Sequence, residues 1–191
     1  ASVRIQLLAA LLMGLFVVAY PLVKSSGLLP ERQIIHAAEQ VSGDRAASLQ
    51  FRFDNETLLM DRAQEKPFFG WGSWSRNHII DQDTGRLLTV TDGRWVLTLG
   101  TFGWLGFLAE FGLLTLPIFL MFWKATGARS SEPEEFWIGP LTLILAINLL
   151  DMIPNATLTP LTFLVAGAVL SKAEIAVRLP RPRLQPIRTV L

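Results

Sequence analysis

The chain has 191 residues and a formal net charge of +1, with 17 basic and 16 acidic side chains and no cysteine. The near balance excludes nucleic-acid binding by overall basicity, the 51% hydrophobic content excludes disorder, and the missing thiols exclude a disulfide framework, a thiolate metal site and a cysteine nucleophile. Of the 33 charged residues, 19 fall between Lys24 and Arg94 while long flanking stretches carry almost none, which excludes an ordinary soluble globule.

The chain begins at Ala1 and runs almost at once into Ile5–Val23, 19 uncharged residues, enough to cross a bilayer core of about 30 Å. A signal peptide is the alternative, but the run is long for one, and Val23-Lys24-Ser25-Ser26 is a poor cleavage site. Trp95–Trp123 is the second span, with Trp at both ends and Glu110 as its one charge. A third apolar block, Phe136–Leu170, is interrupted by Asp151, Pro154, Asn155 and Pro160, which break a continuous helix. Two further spans follow, 136–153 and 157–171, the second short enough to be a re-entrant hairpin instead.

The predicted fold is therefore all-α: part of a polytopic membrane protein with about four transmembrane helices. Basic residues set its orientation. Lys172, Arg178, Arg181, Arg183 and Arg188 outnumber Glu174 in the tail 172–191, which places that tail in the cytoplasm. Counting back puts Lys124 and Arg129, in the loop 124–135, inside as well. Segment 1–23 is then the first span, and 24–94 becomes a periplasmic loop.

That loop is too poor in apolar residues to build a core and is expected to lie against the membrane domain as amphipathic helices. One covers Glu31–Val41. A second runs from Arg45 to about Lys66, N-capped by Asp44 and ended by Pro67, with Phe51, Leu58, Leu59, Met60 and Ala63 as apolar contacts. Arg45 and Arg52, seven apart, lie within about 20° of one face. Two guanidiniums so placed can grip a diphosphate. Equally, they can be a solvated face, with Glu56 pairing with Arg52 at i,i+4. In the sequence KPFFGWGSW, Gly70 and Gly72 flank Trp71, giving a turn of close backbone approach with a sugar-stacking platform or an interfacial anchor at its tip. His36 and His78 stand apart from carboxylates at ligand spacing and read as surface or hydrogen-bonding residues, so neither metal nor cofactor is expected.

SLQFRFDNETLLMDRAQEKPFFGWGSW followed by DGRWVLTLGTFGWLGFLAEFGLL resembles the O-antigen ligase and polymerase family of bacterial envelope enzymes. Arg52 matches its outer-helix arginine, and Pro67, Gly70 and Gly72 its Pro-x-x-Gly-x-Gly turn. Asp92, Gly93, Arg94 and Trp95 occupy the place of its His-Asn-x-Tyr-Leu segment, followed by Gly103 and Gly106. The resemblance implies metal-independent, inverting glycosyl transfer at the periplasmic face of the bacterial inner membrane. The donor would be an undecaprenyl-diphosphate-linked glycan, held through its diphosphate by Arg52 and Arg45, and the acceptor a glycan or lipid. The remaining partners would be membrane lipids and N-terminal transmembrane helices of the same protein, without which this portion would be inactive; nucleic acid is not among them. Asp92 stands where ligases carry His, as a candidate general base or a helix cap, which favours a polymerase or an exopolysaccharide-specific relative. Other readings are a polysaccharide exporter or transporter subunit, with Glu110 and the arginines lining a path, and a non-catalytic scaffold. Glu110, some 22 Å along a helix from Trp95, needs a partner, expected in helices outside this segment. Gly100, Gly103 and Gly106 are expected to thin that helix for close packing.

Overall fold

The computed structural model describes residues 2–90, 92–127 and 137–178. Six α-helices make up the described chain: α1 Val3–Ser25, α2 Glu31–Glu39, α3 Gly43–Gln64, α4 Arg94–Gly127, α5 Ile138–Asp151 and α6 Pro160–Arg178. A 3₁₀ turn, Trp74–Asn77, and a small hairpin with one antiparallel bridge, Ile80 to Leu87, lie between α3 and α4. Arg129 and the tail residues Arg181, Arg183 and Arg188 lie outside the described residues.

α1 and Arg94–Lys124 of α4 are long and apolar enough to cross a membrane; α5 is apolar but shorter. α1 packs on α4 and α5, and α6 packs on the same two helices. Leu7, Val17, Phe107, Phe111, Ile118, Leu145, Leu149 and Val169 fill the space between them. Each of these helices also shows a row of exposed large apolar side chains, such as Leu8, Leu12 and Leu15 on α1.

The apolar block after residue 136 divides as expected, though α6 starts at Pro160 and continues to Arg178, past the predicted end at 171. In the connection, Asp151 accepts from Asn155 Nδ2 at 2.8 Å and from the Thr157 hydroxyl at 3.1 Å, which holds the turn.

α3 begins two residues before the predicted start. Ser42, extended at φ −167°, takes the cap position, and Asp44 stands in the first turn, where its charge faces the positive end of the helix dipole. Leu59, Met60 and Ala63 join the core shared with α1 and α4, so α3 rests on the apolar helices, and α2 rests on α3. Phe51 and Leu58 do not contribute; both are exposed.

The largest departure is in α4. The apolar run from Trp95 reads as one straight helix, yet Gly103 adopts φ 66°, ψ −168° and breaks it into arms 94–102 and 104–127. L-residues avoid that conformation, and glycine enters it without a Cβ penalty. The stretch 104–124 alone is roughly 31 Å long, a full bilayer core.

Candidate functional site

The break in α4 frees backbone groups that a continuous helix would pair internally. The turn of residues 67–72 takes them up in both directions. Trp71 N donates to Gly100 O at 2.9 Å and Gly72 N to Thr101 O at 2.8 Å, while Trp104 N donates to Pro67 O at 2.7 Å and Leu105 N to Phe68 O at 3.2 Å. The two backbones touch. A Cβ on Gly70 would sit within 2.6 Å of backbone atoms of Thr101, Phe102 and Gly103, and one on Gly103 would strike the backbone of Phe68 and Phe69. Both glycines also hold φ near +65°. The Pro-x-x-Gly-x-Gly turn and the glycines of α4 are thus two halves of one joint, and Gly103 breaks its helix where it was expected only to thin it. Asn77, 1% exposed, lies against Gly100 in the same joint, its amide atoms without hydrogen-bond partners among the described residues.

The break explains Glu110. Along a straight helix, sixteen residues separate Arg94 from Glu110 by about 24 Å. Here Arg94 Nε donates to Glu110 Oε1 at 2.6 Å and Nη2 to Oε2 at 3.0 Å, with the Thr98 hydroxyl on Oε2 at 3.2 Å. The arms fold toward each other, and the partner expected in other helices is in the same one. The Arg94 main chain is fixed too: its N–H donates to Met152 O and Asn155 O at the end of α5.

Arg45 and Arg52 line one cleft of about 400 Å³ with Ala38, Val41, Ser48 and Leu49, between α2 and α3. Arg52 Nε stands 3.5 Å from Asp92 Oδ2, the two side chains being 40% and 38% exposed. Forty residues of sequence separate this pair. The predicted Arg52–Glu56 pairing is absent because Glu56 turns inward. It accepts from the Tyr20 hydroxyl at 3.2 Å and lies 3.6 Å from Lys24 Nζ. Lys24 also pairs with Glu31, donates to Phe53 O and lies over the Phe53 ring. This buried knot ties α1, α2 and α3 together. Burial pushes the Glu56 carboxyl above the ordinary carboxylate range, with Lys24 and the Tyr20 hydroxyl pulling the other way.

Trp71 is neither a bare platform nor a bare anchor. The Arg62 guanidinium lies 3.6 Å from its ring centroid and Lys66 Nζ 4.1 Å, and the indole N–H donates to Arg62 O at 2.9 Å. The exposed aromatics of the turn are its neighbours Phe68 and Phe69. His78 is buried, with Nδ1 3.3 Å from Thr89 O, consistent with a hydrogen-bonding role. Among the described residues no three His, Asp or Glu side chains gather as a metal site would require.

Sequence reasoning missed Arg94, Thr98 and Asn77. A signal for the first existed, since Arg94 and Glu110 are the only charged residues between Gly93 and Trp123. Comparison with protein-family models, curated proteins and solved structures gives no match to this chain.

Proposed function

We propose that this chain is part of an O-antigen ligase- or polymerase-like glycosyltransferase of the bacterial inner membrane, with four spans and the 24–94 segment on the periplasmic face. It transfers glycan from an undecaprenyl-diphosphate carrier without a metal. The observation that carries this reading is the meeting of Arg52, from α3, with Asp92, at the start of α4, beside a cleft that Arg45 also lines. Two arginines at one rim supply the forked, permanently charged donors a diphosphate needs, and a carboxylate beside them is a base within reach of an acceptor hydroxyl. The ionic pair at half exposure is worth less than about 1 kcal/mol to the fold, so a stability role explains it poorly.

The enzyme reading gains further support from Glu110. Arg94 of the same helix already neutralises it, whereas a transport path calls for ionisable groups that exchange partners. Arg52→Lys tests the proposal. The charge stays and the fork is lost, so transfer in the full-length protein should fall roughly tenfold to a hundredfold, the worth of a charged hydrogen bond, at unchanged expression. Transfer by Arg52→Lys at the parent rate would leave the arginine a solvated side chain and remove the argument.

A further inference from the structure

On the far side of α3 from Arg45 and Arg52 lies a larger cleft, of about 760 Å³. Leu58, Asp61, Arg62 and Glu65 form one wall, spaced i, i+3, i+4, i+7 along a single face of the helix. That spacing ordinarily carries an apolar stripe, and here three of its four positions are charged. Arg76, His78, Ile79, Ile80 and Gln82, from the segment after the turn, line it as well, together with Trp71.

Residues on either side are tied to their neighbours. Arg62 is pinned by Glu65, its Nη1 2.6 Å from Oε2, and by the Trp71 ring. The Asp81 carboxylate accepts the N–H groups of Asp83 and Thr84 at 2.8 and 3.1 Å, and the hairpin is closed by Asp81 N to Arg86 O and Leu88 N to Ile79 O, both 2.9 Å. A volume of this size lies within the range of small-ligand clefts.

The lining chemistry selects the ligand class. Arg62 and Glu65 spend one bond on each other, which leaves Arg76 to donate, Asp61 to accept and Gln82 to do both, beside the buried His78 ring. Two cations against two carboxylates leave no net field for a polyion. A phosphate would meet the carboxylates, and an ammonium group would meet the guanidiniums. A hydroxyl both donates and accepts, so a polyhydroxyl chain can pair with Asp61, Arg76 and Gln82 together, and its C–H faces suit Leu58, Ile79 and Ile80. We infer that this cleft is a binding site for a neutral oligosaccharide. That this glycan is the acceptor of the transfer rests on the reading above; the binding itself does not.

The experiment uses the full-length protein in nanodiscs and saturation-transfer NMR with neutral hexasaccharides of α-glucan, β-glucan, β-mannan and β-galactan type. Hexagalacturonate serves as the polyanionic control. At least one neutral hexasaccharide should bind, better than hexagalacturonate. Arg76→Ala combined with Gln82→Ala should weaken it about tenfold or more, the loss of one to two hydrogen bonds, with the thermal midpoint held. Arg52→Lys should leave this binding unchanged. No binding by any neutral hexasaccharide, preference for hexagalacturonate, or undiminished binding by the double variant overturns the inference. Sugar binding that survives while Arg52→Lys transfers at the parent rate would sink the transfer reading alone.

Discussion

Glu56 and the two joint glycines show how single residues set the behaviour of this fold. Burial holds the Glu56 carboxyl above the ordinary carboxylate range, so the folded chain keeps that proton to higher pH than the unfolded chain does. The stability this linkage supplies is complete below the ordinary carboxylate range and is lost as pH rises through the raised value. The thermal midpoint should therefore drop more steeply in the parent than in Glu56→Gln as pH rises above the ordinary carboxylate range, because the variant has nothing to ionise there. Equal slopes in calorimetry of the two proteins would show that Glu56 is not the group responsible. At Gly70 and Gly103, alanine adds both a backbone collision and a left-handed φ, together costing about 3 kcal/mol or more. Gly72, at φ +74° with open space around it, is the internal control: Gly72→Ala carries only the conformational cost, about 1 kcal/mol. Denaturation midpoints ordered otherwise would mean that the joint yields.

At the scale of elements, the broken α4 decides where the charges go. The charge-free runs locate α1 and α5 to within two residues, because such a run of helical length has few other solutions, but α6 starts three residues later and ends seven residues beyond its run. Hydrophobic periodicity also found α2 and α3 to within a few residues, from Pro67 and the polar residues ahead of α3. The break was not legible. Glycine is common in apolar helices, and nothing local distinguishes Gly103, which bends, from Gly100, which does not. What forces the bend is a turn thirty residues upstream that needs backbone partners, a non-local cause that periodicity does not register. Once Gly103 is straightened in the mind, Glu110 is stranded about 24 Å from Arg94 and requires an outside partner, so the erroneous expectation follows from the first omission. The fold-back has a direct check, made clean by the absence of native cysteine. Arg94→Cys with Glu110→Cys should be joined within one chain by a bismaleimide spanning about 8 Å, which cannot bridge the distance of a straight helix. Failure of that crosslink, with both thiols reactive to a monofunctional maleimide, would restore the straight helix.

For the molecule as a whole, the apolar helices act as a bed on which α3, the 67–72 turn and the start of α4 are set in fixed relation. The sequence shows Arg45 and Arg52 on one face by their seven-residue spacing, and the cleft they share bears this out. Their proximity to Asp92 was beyond it, because that contact depends on the knot of Tyr20, Lys24 and Glu56 docking α3 on α1 and on the joint that anchors α4. The central claim is that Arg52 and Asp92 meet to perform chemistry, and an exchange of the two residues tests it most directly. In a pair that serves only the fold, Arg52→Asp combined with Asp92→Arg rebuilds the same contact. At roughly two-fifths exposure either arrangement alters stability by no more than about 1 kcal/mol. Glycan transfer by the full-length exchanged protein in inner-membrane vesicles should stay lost, as in each single variant, with thermal midpoints near the parent's. Recovery of transfer in the exchanged protein, after loss in the single variants, would contradict the account and leave Arg52 and Asp92 a salt bridge.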